Sequence, residues 1–158
     1  MEVHSDWYNR IVKEINLHKD SLSKKDAKKY KLDLLLRVAG RVEEFFSICG
    51  KCQLSQPEVT RLVGELGYLI QMPKQAPKEA RKSYHKTLNN IIKHLKKEHK
   101  LVTKGYYRGI GMTIGPIIAV AIGAALQNPG IGIGIGLAIG LAIGSYLDKK
   151  AQKEGRVI

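Results

Sequence analysis

The chain has 158 residues, with 27 Lys and Arg against 14 Asp and Glu and a formal charge of +13. That length suits one compact domain with a small addition, and the charge points to an anionic partner such as a lipid surface or nucleic acid. Only two cysteines are present, and in a cytoplasmic setting a structural disulfide between them is unexpected.

The opening MEVHSDWYNR has neither a basic n-region nor an apolar h-region, so no cleavable signal peptide is expected. Trp7, Tyr8, Ile11, Val12 and Ile15 form a short amphipathic stripe that ends near Ser21-Leu22-Ser23. Ser23 followed by Asp26 suits an N-terminal cap, and a second, longer helix is predicted from there. Its apolar positions Leu32, Leu35, Leu36, Val38, Ala39, Val42, Phe45, Phe46 and Cys49 keep the three-four spacing of one buried face.

Cys49-Gly50-Lys51-Cys52 comes next, with Gly50 placed to terminate that helix. Two thiolates separated by two residues can share one metal ion, and structural zinc then needs two further ligands. His94 and His99 offer them, within the usual spacing for such histidines although far along the chain. On an ideal helix these two point about 140° apart, so joint ligation requires the helix to distort. Metal ligation, a redox dithiol and unliganded structural cysteines all fit the motif, and the redox reading lacks its usual α/β setting.

A third helix is predicted around Ser55-Gln56-Pro57-Glu58, with proline in its first turn, burying Val59, Leu62, Val63, Leu66, Leu69 and Ile70. Met72-Pro73-Lys74-Gln75-Ala76-Pro77 reads as a linker. The fourth helix begins near Lys78 and turns Tyr84, Leu88, Ile91, Ile92, Leu95 and Val102 inward, running almost directly into the apolar last third of the chain. Four apolar stripes with short connections predict an antiparallel bundle. Of the charged residues, 22 Lys and Arg and 12 Asp and Glu lie in residues 1–104.

From Gly109 to Leu147 no residue is charged, and small residues recur every fourth position: Gly111, Gly115, Ala119 and Gly123, then Gly132, Gly136, Gly140 and Gly144. Each interior glycine costs a water-exposed helix about 1 kcal/mol relative to alanine. In a bilayer the same spacing lets helices approach closely. Gln127-Asn128-Pro129-Gly130 supplies a turn between the segments 109–126 and 131–147. These segments make about 27 and 25 Å of helix at about 1.5 Å per residue, short but sufficient for two spans. Tyr106, Tyr107 and Tyr146 fall at one interface, together with Arg108, Lys149, Lys150 and Lys153, while the turn opposite is uncharged. The positive-inside rule then puts both termini in the cytoplasm. A buried helical pair in a soluble protein is the alternative; the IGIGIG run also suits a glycine-rich strand, but the four-residue period beyond it favours helix.

The expected fold is therefore all-α: an N-terminal antiparallel helical bundle followed by a glycine-rich transmembrane helical hairpin. Its divisions are a basic cytoplasmic domain over 1–104, the hairpin over 105–148 and a basic cytoplasmic tail over 149–158. Lys93, Lys96, Lys97, Lys100, Lys104 and Arg108 precede the first span and are candidates for anionic lipid headgroups, at about 1 kcal/mol per basic residue. The more distant Lys24, Lys25, Lys28, Lys29 and Lys31 read as a solvated face.

With the Cys-Gly-Lys-Cys pair, His94–His99 and the run Gly105-Tyr106-Tyr107-Arg108-Gly109-Ile110-Gly111-Met112 in view, the chain resembles small bacterial glycine-zipper membrane proteins. The resemblance covers the last third strongly and the remainder weakly. It implies membrane location and helix packing and transfers no catalytic residue. No paired carboxylates, Ser/His/Asp set or phosphate-cradling loop after a strand is present, so no enzyme is expected. The expected function is a self-associating, non-enzymatic membrane protein whose basic domain docks on lipid or a cytoplasmic partner. A pore-forming or membrane-perturbing oligomer is the alternative, and with only Thr113 and Ser145 interrupting the apolar surface a wide pore is disfavoured. A tethered nucleic-acid binder ranks third, because aromatic residues are not interleaved with the lysines.

Overall fold

The computed structural model describes residues 5–71 and 77–158. Residues 72–76 of the predicted linker lie outside the described residues. The protein is all-α, with seven helices in chain order among the described residues: α1 (Asp6–Asp20), α2 (Lys24–Lys29), α3 (Leu32–Glu44), α4 (Gly50–Gln71), α5 (Lys78–Glu98), α6 (Tyr106–Ala125) and α7 (Pro129–Lys153). They fall into two compact units, residues 1–99 and 100–158.

In the first unit α3 packs on α1, α2, α4 and α5, and α4 also packs on α1 and α5. Ile11 and Ile15, Leu35, Val38 and Val42, Leu62 and Leu66, and Leu88 and Leu95 are among its fully enclosed apolar side chains. Two tyrosine hydroxyls that enter this interior are paired: Tyr84 donates to the Tyr30 carbonyl at 2.9 Å, and Tyr30 donates to the Leu69 carbonyl at 3.1 Å. Each buried hydroxyl thereby avoids the penalty of an unmade hydrogen bond.

Helix boundaries differ from those predicted in three parts of the chain. Ser23 does cap a helix, its side chain accepting from the Asp26 amide, but that helix ends at Lys29. Lys31 adopts a left-handed conformation with φ 55°, and α3 starts anew. The reason is that Tyr30 and Leu32 are both buried; two residues apart on a continuous helix, they would point about 200° away from each other. At the other end α3 stops at Glu44, so Phe46, expected on the buried face, is exposed.

Second, Gly50 opens α4 instead of closing the preceding helix, and Pro57 lies inside α4 rather than in its first turn. The apolar stripe continues backwards past the proline, through Ser55 to Cys52, both buried. Third, α5 ends at Glu98, so it does not run on toward α6 and Val102 is not one of its residues. Lys100 has φ 55°, and Val102 forms an isolated parallel bridge with Val157.

In the second unit α6 and α7 form an antiparallel hairpin, joined by residues 126–128. Asn128 caps α7 by accepting from the Ile131 amide at 3.3 Å, and Pro129 occupies the first turn, where its missing N–H is not needed. Gly105 takes up the left-handed conformation (φ 79°) that starts α6, a region where a side chain would be strained. Residues 149–153 continue α7, and the segment after it folds back: the Val102 amide donates to the Arg156 carbonyl at 2.8 Å and the Ile158 amide to the Val102 carbonyl at 2.9 Å.

Candidate metal centre and apolar helix pair

Cys49 immediately precedes α4, and its carbonyl accepts the Gln53 amide as α4 begins. Cys52 sits three residues later in the first turn, and both thiols are free. His94 lies in the last turns of α5, and His99 is the residue that ends it, its amide still reaching the Leu95 carbonyl at 3.2 Å. Because α4 packs against α5, the start of one helix meets the end of the other. The four ligand atoms lie within 4.8 Å of one another.

Cys49 Sγ is 3.3 Å from His94 Nε2, and Cys52 Sγ is 3.6 Å from His94 Nε2 and 3.4 Å from His99 Nε2. Tetrahedral zinc with its usual Zn–S and Zn–N bond lengths would hold sulfur and nitrogen about 3.5 Å apart. These residues therefore fit a metal ion: two thiols, two imidazoles and three sulfur–nitrogen separations close to those of tetrahedral ligation. His94 and His99 diverge by about 140° on an ideal helix, yet both rings reach the Cys52 sulfur, His94 from within α5 and His99 from its C-terminal cap. The two rings meet edge to face at 5.3 Å, and Phe45 stacks on His99 at 3.9 Å and 12°.

The two thiols are electrostatically unequal. The Cys52 backbone amide donates to the Cys49 sulfur and, with help from the Cys52 thiol and the Lys51 amide, holds the Cys49 thiol below its ordinary pKa. Amides at a helix start favour a thiolate in this way. Burial pushes Cys52 up to about 12, and the neighbouring Cys49 adds to it. Burial also lowers His94, with His99 and Lys51 contributing, which favours the neutral imidazole that a metal needs.

All eight small residues picked out by the four-residue spacing line the contact between α6 and α7: Gly111, Gly115, Ala119 and Gly123 on one helix, Gly132, Gly136, Gly140 and Gly144 on the other. The backbones touch there. A Cβ on Gly136 would stand 2.5 Å from the Ala119 nitrogen, one on Gly144 2.5 Å from the Tyr107 carbonyl oxygen, and Gly111 and Gly140 would each collide with the other's carbonyl. The outward faces carry the large residues, with Ile117 71 % exposed and Val120 74 %. Both helices are long and apolar enough to cross a membrane.

Asp148, which the sequence pattern did not single out, closes the open end of the hairpin. Its carboxylate accepts the Tyr107 and Arg108 amides, each at 3.1 Å, and lies 3.5 Å from the Arg108 guanidinium. A carboxylate that follows a long uncharged stretch was the available signal. It satisfies amides at the start of α6, which no helical carbonyl can reach. Of the six basic residues proposed for lipid, Lys93, Lys96 and Lys97 belong to the first unit, and Lys100, Lys104 and Arg108 to the second. Arg108 is engaged by Asp148, and the Lys104 amide donates to the Ile158 carbonyl at 3.2 Å.

The chain matches no protein family, no curated protein and no solved structure. What the chain offers is the chemistry of a candidate metal centre and of an apolar helix pair.

Proposed function

We propose that this is a non-enzymatic integral membrane protein. In this reading α6 and α7 cross the bilayer as a glycine-zipper hairpin, and both termini are cytoplasmic. The first unit is an antiparallel basic bundle held by one structural zinc, docking on anionic lipid. The observation that carries the membrane reading is the inverted arrangement of the hairpin: glycine inside, isoleucine and valine outside. A helix pair in water hides its large apolar residues and exposes polar ones. Here the helix contact is glycine, and the outer surface has the composition of a lipid-facing one. α6 makes about 30 Å of helix, the thickness of a hydrocarbon core.

Self-association fits the hairpin in a modified form. The faces of Gly111 to Gly123 and Gly132 to Gly144 are filled by each other within one chain. A second copy therefore meets the outward face of α7, where Gly130, Gly134, Ala138 and Ala142 are exposed and again four apart. The metal centre has all four ligand positions supplied by protein, the arrangement of a structural rather than a catalytic zinc.

Extraction of membranes with alkaline carbonate tests the insertion, and protease treatment of intact inverted and right-side-out vesicles tests the orientation. The protein should stay in the pellet, with both termini cleaved only from the cytoplasmic side. Release into the supernatant overturns insertion; cleavage of the termini from opposite sides overturns the hairpin.

A further inference from the structure

The first unit carries an exposed apolar group that its own fold does not explain. Among the described residues, the large apolar side chains most exposed in this unit are Leu17, Phe46, Ile48, Leu54 and Tyr68. Three of these five lie within residues 46–54, with Phe46 40 % exposed, Leu54 72 % and Ile48 77 %. They flank the Cys49–Cys52 turn, which is held in shape: Gln53 Nε2 donates to the Phe46 carbonyl at 3.0 Å, and Phe45 stacks on His99. A loop pinned on both sides of Ile48 presents that side chain outward at little further ordering cost.

Lysines stand beside Leu54 at the other end of this turn. Lys51, Lys93 and Lys97 rim a groove of about 490 Å³ between α4 and α5, and Leu54 lines the same groove. Glu58 and Glu98 also line it, leaving an excess of one positive charge. Lys100 and Lys104 follow in sequence with no further carboxylate before the first apolar helix. Protruding apolar side chains with lysines nearby form a pattern that binds an anionic interface, the apolar groups entering between headgroups and the ammonium groups meeting phosphate. A protein partner would need a continuous apolar patch with depleted charge at its centre, and a lysine between Ile48 and Leu54 works against that. Seven positions separate His99 from Tyr106, a chain that reaches at most about 25 Å, so a membrane entered by α6 is within range of this unit.

We propose that the turn of residues 46–54 is a second membrane contact, inserting Ile48 and Leu54 into the headgroup layer of an anionic bilayer while Lys51, Lys93 and Lys97 bind its phosphates. This rests on the membrane reading under Proposed function and adds the face of the helical unit that meets the lipid. It differs from the lysine-only docking expected from sequence, because Ile48, Leu54 and Lys51 lie some 40 residues before Lys93 and Lys97 and join them only through the packing of α4 on α5.

The full-length chain tests this in vesicles of phosphatidylcholine alone or mixed with phosphatidylglycerol, with bromine on the acyl chains. In a Trp7→Phe background, Ile48→Trp places one fluorophore on the turn and, separately, Ile133→Trp places one on the exposed face of α7. The tryptophan at 48 should be blue-shifted and quenched in the anionic vesicles only. The effect should be lost in high salt, where the Debye length shrinks to about 3 Å, and lost when Lys51, Lys93 and Lys97 become Gln. The tryptophan at 133 should be quenched in every vesicle. Quenching at 133 without quenching at 48 overturns this inference and leaves the membrane reading standing. Quenching at neither position overturns both. Equal quenching at 48 in neutral vesicles, or indifference to the lysine changes, overturns the role given to the anionic headgroups.

Discussion

Cys49 and Cys52 begin a helix, and that position decides much of their chemistry. Amides of the first turn point at Cys49 and favour its thiolate, while Cys52, three residues on, faces the interior and is pushed the other way. A metal ion between them would stabilise both as thiolates, and the neutral His94 beside them completes the preference. Purified protein should hold one zinc per chain by elemental analysis. Cys49→Ser should lower the affinity by more than about 100-fold, since even outer-shell changes cost about 10–100-fold. Metal-free protein whose melting temperature is unmoved by added zinc would leave the four residues without a metal role. His85 offers a separate readout, because it is not one of the ligands. Burial, with Lys31 contributing, holds its pKa below the ordinary 6.5. The unfolded chain therefore binds the proton first as pH falls, so stability is lost on acidification below about 6.5 and regained above it. His85→Gln should flatten the pH dependence of the melting temperature in that range relative to the parent; an unchanged profile would assign the loss to other groups.

At the scale of the helix, the hairpin contact is set by the absence of side chains. Gly140 faces the Gly111 carbonyl so closely that no Cβ fits, whereas Gly109 has nothing within 4 Å of where a Cβ would lie. Leucine at position 140 must push α6 and α7 apart, and overpacking of this kind costs about 1–3 kcal/mol or more. Gly140→Leu should lower the resistance of the helix pair to unfolding by denaturing detergent, followed by circular dichroism. Gly109→Leu should leave it within about 0.5 kcal/mol of the parent. Equal responses would mean that the inner face carries no special constraint. The spacing of glycines displayed this face in the sequence, because a period of four on a helix describes a surface by itself. The boundaries of α2, α3 and α4 were less visible. Tyr30 breaks a helix through what it packs against, and Pro57 looked like a helix start because local rules favour proline there. Only burial of Cys52 and Ser55 shows the stripe running past it.

Over the whole molecule, the sequence alone determined the all-α class, the two apolar helices with their polar turn, and the small-residue face between them. Each is written in local periodicity: charge-free length, four-residue spacing, and turn residues between two similar segments. The candidate metal ligands were also visible as residue types, but not as a site. Cys52 and His94 are 42 positions apart, and nothing in their spacing fixes a distance. Their meeting was decided by the packing of α4 on α5, which brings the first turn of one helix to the last turns of the other. The same packing sets Lys51 and Leu54 beside Lys93 and Lys97. Asp148 became legible in the same way, since its partners are the amides of Tyr107 and Arg108, some 40 residues earlier. Periodicity reports which face of a helix is apolar; the identity of the element that covers it depends on three-dimensional packing, where residues distant in the chain satisfy one another's hydrogen bonds and ligand positions.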